Sequence, residues 1–452
     1  MSELKRDLGV WGAAAIVVGT VIGSGIFLVP KSMVQNVGTP NMVLFVFIFG
    51  GLLSLAGALT YAELSSAMPE AGGEYVYLRE AYGPFFAFLY GWTQLWVAKS
   101  GSVATLATGF FTYMANFYPA LESVLTTIGP VTIKSGQVFA MCVIAFLGWL
   151  NYFGVKVGGN VQIAVTVVKV GLIALLIVAG FTFPAGDFAN LSTSVPAPGG
   201  IAVFFAALVA ELWAYDGWNN VSMVSSEVKE PQRNLPLALI YGTLGVMIIY
   251  LLATLAYFYV LPAAGVSNSD RVAAEMMRQV WGAGGAAVVS VAAMISIFAA
   301  LNGSILTGAR VPYAMAKDGL FVKSIGEVHP KHFTPANSIV ALTVWSMVLV
   351  LASGNYDELF TYVIFASWIL YGMATASVLV LRRNRPDLAR PYKTLGYPVV
   401  PIVFVLVAIA LLLSTLLKSP RESLMGLVIM AAGIPFYLYW NSKRRRDTLE
   451  RT

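Results

Sequence analysis

Charged residues are scarce in this chain, and cysteine and histidine are nearly absent. Only 11% of the 452 positions are Asp, Glu, Lys or Arg, whereas 58% are hydrophobic. Such a chain cannot cover itself with an ordinary water-facing surface, which excludes a soluble protein. The single cysteine, Cys142, cannot form an internal disulfide, and His329 and His332 are too few for a metal site. We therefore expect no metal, no cofactor and two solvated histidines.

The sequence instead contains many long apolar segments. Lipid offers backbone N–H and C=O groups no partner, so windows of about 20 residues predict transmembrane helices. We predict an all-α integral membrane protein with about twelve spans. Their expected limits are residues 10–36, 40–67, 83–117, 135–152, 158–182, 199–225, 236–262, 281–309, 336–353, 356–382, 397–417 and 423–441. Only short connectors remain, so an enzyme is not expected.

The basic residues predict how the spans are oriented. With a cytoplasmic N-terminus, most of the 28 Lys and Arg residues fall on the cytoplasmic side, as the positive-inside rule requires. We expect a multi-pass protein of the inner (plasma) membrane, with residues 1–9 and the basic residues 442–452 both in the cytoplasm. The net charge of +6 then reflects orientation and attraction to anionic lipid, and no nucleic-acid partner is expected.

Two spans carry residues that interrupt a helix. The first has Gly19, Gly23 and Gly25 near its middle, and each glycine costs about 1 kcal/mol relative to alanine inside a helix. Close packing of small residues would explain these glycines, and so would a break in the helix. The sixth span favours a break, because it carries two carboxylates, Glu211 and Asp216, with a glycine and two asparagines. Carboxylates at mid-membrane usually mark a functional cavity.

Each interrupted span opens a block of five helices. The blocks cover residues 10–182 and 199–382, and an odd number of helices makes the second block enter the membrane inverted. This is the inverted-repeat arrangement of secondary transporters, whose broken helices 1 and 6 meet near the bilayer midplane. Residues 397–441 add two C-terminal helices.

A pair of facing breaks can hold an amino acid. An unwound helix exposes N–H groups with partial positive charge on one side of the gap and free carbonyls on the other. The carboxylate and ammonium groups of a zwitterionic amino acid match these two ends. The candidates are the amides of Ser24, Gly25 and Ile26 for the carboxylate, and carbonyls near Val21, Ile22 and Trp213 for the ammonium.

Other residues in the spans are candidate functional groups. Trp213, beside the second break, is predicted to close over the substrate as a gate, whereas Trp218 is expected to pack. Asp216 could bind an ammonium group, pair with Lys99 or cap exposed amides. Lys169 lies too deep to reach water easily. Its ammonium could be a structural contact, or it could replace a bound cation and couple protonation to transport. Further pocket candidates are Ser296, Asn302 and Ser367, and Glu63 is expected to be a structural contact.

Several motifs resemble one transporter family. They are residues 19–27 (Gly-Thr-Val-Ile-Gly-Ser-Gly-Ile-Phe), 58–64 (Ala-Leu-Thr-Tyr-Ala-Glu-Leu), Pro69 with 72–75 (Gly-Gly-Glu-Tyr), 83–84 (Gly-Pro), 213–219 (Trp-Ala-Tyr-Asp-Gly-Trp-Asn) and 227–236 (Glu-Val-Lys-Glu-Pro-Gln-Arg-Asn-Leu-Pro). Taken in order, they are similar to the L-type amino acid transporter branch of the amino acid-polyamine-organocation superfamily. The resemblance implies a twelve-helix fold with a five-plus-five inverted repeat and sodium-independent exchange of amino acids.

The resemblance also implies roles for individual residues. Substrate would contact the first break at Val21, Ile22, Gly23, Ser24 and Gly25, Trp213 would be the gate, and Lys169 would be the family's lysine on the fifth span. Asp216 and Asn219 join the candidate substrate contacts, although Asp216 leaves open whether cationic or only neutral amino acids are carried. Animal members bind a glycoprotein through a cysteine between spans 3 and 4. Residues 118–133 contain none, so no disulfide-linked heavy subunit is expected.

The leading hypothesis is an amino acid exchanger that works by alternating access. A proton-coupled amino acid or polyamine importer on the same fold is the first alternative, and a membrane sensor or channel is an alternative of another class. The absence of a sizeable soluble domain argues against a sensor, and occluding breaks argue against an open channel.

Overall fold

A computed structural model describes residues 4–128, 131–352, 356–418 and 420–449, and most of them are helical. Within these ranges, nine helices are long and apolar enough to cross a membrane. Two shorter apolar helices, Val203–Tyr215 and Ala336–Ala352, lie within predicted spans 6 and 9. Large apolar side chains such as Leu406 and Leu417 are exposed on the outside, as expected of a surface in lipid. The fold is that of a multi-pass membrane protein, and the count of twelve spans stays a prediction.

The first half of the chain contains the first interrupted span and the four predicted spans after it. Its helices are α1 (Val10–Val21), α2 (Gly25–Val37), α3 (Pro40–Ala67), α4 (Glu74–Tyr82), α5 (Pro84–Thr93), α6 (Lys99–Met114), α7 (Ser135–Tyr152) and α8 (Val155–Phe181). A π-helical turn, Gln94–Ala98, joins α5 to α6 within the predicted third span. Helix α4 was not predicted, because it lies in a connector.

A short β-hairpin departs from the all-α prediction. Strands β1 (Val124–Ile128) and β2 (Val131–Lys134) pair antiparallel in the connector between α6 and α7, in a register that places Thr127 opposite Thr132. Both strands are rich in the β-branched residues Val, Ile and Thr, which favour extended backbone.

The second half contains the second interrupted span. Its helices are α9 (Ile201–Tyr215), α10 (Asn220–Met223), α11 (Pro231–Val260), α12 (Ala263–Ser267), α13 (Val272–Gly308), α14 (Arg310–Lys317), α15 (Ala336–Ala352), α16 (Tyr356–Asn384), α17 (Val399–Lys418), α18 (Pro420–Ala431) and α19 (Gly433–Leu449). Gly282, with φ +69°, kinks α13 near its start, which is where predicted span 8 begins. Predicted span 12 is divided between α18 and α19.

Both predicted helix breaks are present, one between α1 and α2 and the other between α9 and α10. Around them, α3 packs along α11, α2 against α9 and α1 against α11, while α13 packs along α6 and α8. Helix α1 also contacts α8 and α13. The interrupted helices therefore lie between two groups of continuous helices, in the interior of the protein.

Candidate functional site

The first break consists of three residues, Ile22, Gly23 and Ser24, that lie between the two helices. Helix α1 ends at Val21, Ile22 takes φ −71° and ψ 84°, and α2 begins at Gly25. The N–H of Gly23 turns back to the Val21 carbonyl at 2.7 Å. The amides at the start of α2, those of Gly25 and Ile26, belong to the first turn, where a helix offers its N–H groups no acceptor of its own. The break therefore presents the positive end of a half-helix, as predicted.

The second break is made by Asp216 and Gly217. Asp216 leaves the helix with ψ 139°, and Gly217 takes φ +103°, a value that favours glycine. The hydroxyl of Thr20, in the last turn of α1, lies 2.6 Å from the Ile16 carbonyl of its own helix and 3.0 Å from the Gly217 carbonyl. The two breaks are therefore in direct contact, although almost two hundred residues separate them along the chain.

The glycines of the first span serve two different purposes. A Cβ added to Gly25 would lie 2.4 Å from the Ala214 Cα, so the backbones of α2 and α9 touch there. A Cβ on Gly19 would lie 2.0 Å from the amide nitrogen of Gln162 on α8. Gly19 is thus explained by close packing, whereas Gly23 lies within the break itself. Close packing therefore explains Gly19, and a helix break explains Gly23.

A small cavity of about 20 Å³ lies between the two breaks. Its lining residues are Thr20, Val21, Gly23, Ser24, Gly25, Ser102, Leu106, Trp213, Asp216, Asn220 and Ser304. Of the predicted substrate contacts, six line it: Val21, Gly23, Ser24, Gly25, Trp213 and Asp216. The predicted contacts outside this lining are Ile22, Ile26 and Asn219, together with the pocket candidates Ser296, Asn302 and Ser367.

Five lining residues were missed: Thr20, Ser102, Leu106, Asn220 and Ser304. Ser102 and Leu106 are four residues apart on α6, so they share one face of that helix. That spacing was visible in the sequence, but small and apolar residues surround it on every face.

Lys169 is fully buried on α8 and reaches the end of α1. Its ammonium donates to the carbonyls of Gly19 at 2.6 Å and Ile22 at 2.5 Å. The hydroxyl of Ser296 donates to the same Ile22 carbonyl at 2.8 Å, and the hydroxyl of Tyr250 lies 2.9 Å from the Val21 carbonyl. In this conformation, two of the carbonyls predicted to receive a substrate ammonium therefore already have donors.

Asp216 and Lys99 have separate partners. Asp216 is partly exposed beside the cavity and accepts a hydrogen bond from the Tyr371 hydroxyl at 2.8 Å. Lys99 is buried and donates to the amide oxygen of Asn220. The possible Asp216–Lys99 pair is not among the ion pairs of the described residues. The Asp216 carboxylate is thus the acidic group that borders the cavity.

Glu74 is a functional candidate that the sequence did not reveal. It opens α4, is fully buried and accepts hydrogen bonds from the Tyr90 hydroxyl at 2.9 Å and from the Asn219 amide. Burial raises the pKa of its carboxyl, although the hydrogen bonds from Asn219 and Tyr90 oppose that shift. Asn219 therefore points toward α4, and its predicted contact with substrate stays a prediction.

The end of the bundle that carries the first residues, here called the N-terminal face, is closed by polar contacts. Arg310 holds Glu227 through two hydrogen bonds of 2.7 and 3.0 Å, and both side chains are fully buried. The N–H of Leu8 donates to the Glu227 carbonyl at 3.0 Å. Arg79 pairs with Asp318 at 3.0 Å on the same face.

The remaining candidates are structural contacts. Glu63 accepts two hydrogen bonds from Arg382, at 2.9 and 2.7 Å, as expected. Trp218 packs edge-on against Tyr61. His329 and His332 are both partly exposed, and their rings stack on each other. The described residues contain no group of three or more His, Cys, Asp or Glu side chains that could hold a metal ion.

Comparisons with known proteins cover nearly the whole chain. A family model described as amino acid permease matches residues 8–434. The serine/threonine exchanger SteT of Bacillus subtilis (strain 168) is 34% identical over 449 residues, which cover 98% of each chain. The b(0,+)-type amino acid transporter 1 of Mus musculus is 32% identical over 445 residues, 96% of this chain and 88% of the relative. The Asc-type amino acid transporter 1 of Mus musculus is 29% identical over 451 residues, 97% of this chain and 82% of the relative.

Proposed function

Because the chain belongs to the amino acid permease family, we propose that it is a sodium-independent amino acid exchanger that works by alternating access. The names of its relatives support this choice of substrate, since one is a serine/threonine exchanger and the others are amino acid transporters. We place it in the inner (plasma) membrane, with both termini in the cytoplasm, on the distribution of its basic residues.

The observation that carries the proposal is the cavity between two broken helices. The first-turn amides of α2, at Gly25 and Ile26, carry partial positive charge and suit a carboxylate. The Asp216 carboxylate borders the same cavity and suits the ammonium, since the carbonyls of Val21 and Ile22 already accept other donors. One small site thereby offers complementary groups for both charges of an amino acid and needs no metal.

Lys169 supports sodium independence. A cation bound at the end of α1 would use carbonyl oxygens there, and the Lys169 ammonium already bonds to two of them, those of Gly19 and Ile22. A fixed positive charge at this point does what a bound sodium would do, because it holds the unwound end of the half-helix in place. The transport cycle then needs no dissolved sodium.

Two sets of contacts would alternate during transport. Trp213 lines the cavity beside the second break and is the proposed gate on one side. On the N-terminal face, the Glu227–Arg310 pair and the Leu8–Glu227 backbone bond would have to separate to release substrate. The helices that carry the breaks would move against α6, α8 and α13.

Counterflow in proteoliposomes tests the proposal. Vesicles preloaded with unlabelled L-serine should take up labelled L-serine, with the same rate when choline replaces sodium on both sides. Empty vesicles that contain the same protein are the matched control and should show little uptake. Equal uptake into empty and preloaded vesicles would contradict exchange, and dependence on sodium would contradict the role given to Lys169.

The same vesicles separate exchange from the proton-coupled alternative. An importer driven by protons would accumulate labelled serine in empty vesicles when the outside is made more acidic than the inside. An exchanger would not respond to that gradient without an internal amino acid.

A further inference from the structure

Glu211 is a buried acid without a partner. It lies on α9, one helical turn before the second break, and it is fully buried. Neither carboxyl oxygen has a hydrogen-bond partner among the described residues. The other fully or nearly buried acids differ: Glu63 is held by Arg382, Glu227 by Arg310 and Glu74 by Tyr90. Glu211 is therefore the exception among the buried carboxyl groups of the residues that the structure describes.

Its carboxyl group lies against the backbone of α3. A Cβ added to Gly50 would be 1.7 Å from one Glu211 oxygen and 2.4 Å from the other, so this glycine provides the space that the carboxyl occupies. Gly51 does the same for the Tyr215 hydroxyl, which also has no partner among the described residues. The contact between α3 and α9 thus contains two neighbouring polar groups, the Glu211 carboxyl and the Tyr215 hydroxyl, and neither has a hydrogen-bond partner among the described residues.

Among the described residues, no cation from the surrounding helices reaches the Glu211 carboxyl. The titratable group nearest on its own helix is Tyr215, and on α11 it is Tyr250, whose hydroxyl bonds to backbone carbonyls. On α2, Lys31 bonds to an exposed aspartate at the end of the bundle. On α17, Lys418 is the last residue.

The described residues of α16 and α3 likewise provide no counter-ion for Glu211. On α16, the described titratable side chains are Tyr371, bonded to Asp216, and the arginines of its last turn. On α3, Tyr61 packs on Trp218, and Glu63 is held by arginine. An ionised Glu211 would therefore lack both a counter-ion and a donor.

We propose that Glu211 is a proton-binding site, occupied in the conformation described here. A carboxylate in the membrane interior without a partner is so unfavourable that it takes up a proton instead. Glu211 does not line the cavity, so the proton acts on the position of α9 and not on the substrate. Loss of the proton would place an unpaired charge against Gly50 and force α9, which carries Trp213, away from α3. The position of Trp213 described here thereby requires the proton.

Infrared difference spectroscopy on the full-length protein tests the bound proton without any need for transport. Wild type minus Glu211→Gln at neutral pH should contain the C=O stretching band of a protonated carboxyl group, shifted in D2O. Glu122→Gln, which removes an exposed acid, is the matched control and should lack this band. Absence of the band from the Glu211 comparison would overturn the proposal.

A pH profile of exchange tests the consequence for the gate and rests on the proposed function. Above the titration midpoint, the wild-type rate should fall about tenfold per pH unit, as for loss of one required proton. Glu211→Gln cannot ionise and should have a flat profile there; Glu211→Met serves the same purpose if the glutamine variant fails to fold. An alkaline decline in these variants like that of wild type would overturn the role in gating. If wild type does not exchange amino acids at all, the proposed function fails, and the infrared result still decides whether the proton is bound.

Discussion

Replacing Gly25 by alanine tests whether the two half-helices must touch for substrate to bind. The added Cβ would lie 2.4 Å from the Ala214 Cα, whereas ordinary contacts begin at 3.4 Å. The backbones of α2 and α9 would therefore have to separate by about 1 Å, because neither atom belongs to a flexible side chain. Overpacking of this kind costs about 1–3 kcal/mol.

This strain falls on the substrate site, because both backbones border the cavity. If substrate binding requires the close arrangement, a cost of about 1–3 kcal/mol corresponds to a loss of about 5- to 150-fold in affinity. Binding of labelled L-serine to purified protein measures the loss, and a thermal melt measures how far the fold is affected.

Gly171→Ala is the matched control for Gly25→Ala. Gly171 also lies in a membrane helix, α8, but a Cβ there would meet nothing within 4 Å. Its replacement should leave serine affinity unchanged and stabilise the helix by about 0.5–1 kcal/mol. If Gly25→Ala binds serine within twofold of wild type, the contact between the half-helices does not shape the site, and the reasoning is refuted.

Three further substitutions probe single contacts of the site. Lys169→Met removes two hydrogen bonds to α1, so the counterflow rate should drop at least about tenfold. The melting temperature should stay near that of wild type, because the substitution also removes a buried charge. A counterflow rate equal to that of wild type would contradict this prediction. Thr20→Val removes the hydroxyl that lies within hydrogen-bond distance of both the Ile16 and Gly217 carbonyls, a contact worth about 0.5–1.5 kcal/mol, and should weaken serine binding several-fold in the same binding assay. Asp216→Asn removes a charge-assisted contact of about 1.5–3 kcal/mol and should weaken serine binding about tenfold to a hundredfold; unchanged affinity would place the ammonium elsewhere.

The sequence predicted the two helix breaks because the residues that cause them are unusual in membrane helices. Clustered glycines in the first span, and an aspartate followed by glycine in the sixth, have no stable place in a continuous apolar helix. Lys169 was recognisable for the same reason, since a buried ammonium needs acceptors, and the unwound end of α1 supplies them. The parts of the site that could be predicted were thus the residues that are unfavourable in a continuous membrane helix.

The sequence did not show which individual side chains point into the cavity. Asn219 and Asn220 are neighbours, and the one that lines the cavity is Asn220, because the positive φ of Gly217 sets the direction in which the chain re-enters the helix. No helical period applies across such a turn.

The third span presents a related difficulty. Its π-helical turn, Gln94–Ala98, adds a residue to one turn and rotates everything after it, including Ser102 and Leu106. Helix propensities do not predict a π-helical turn, because packing against neighbouring helices decides where such a turn forms.

The Tyr250 hydroxyl lies 2.9 Å from the Val21 carbonyl and 2.9 Å from the Ala214 carbonyl, and so it joins the ends of both half-helices. A hydroxyl group carries one hydrogen atom, which can be given fully to only one of the two oxygens at a time. Any displacement of one helix end alone takes it out of reach of this shared donor, whereas a displacement of both together keeps the arrangement intact. A single phenol on α11 thus makes joint movement of the two chain ends less costly than independent movement.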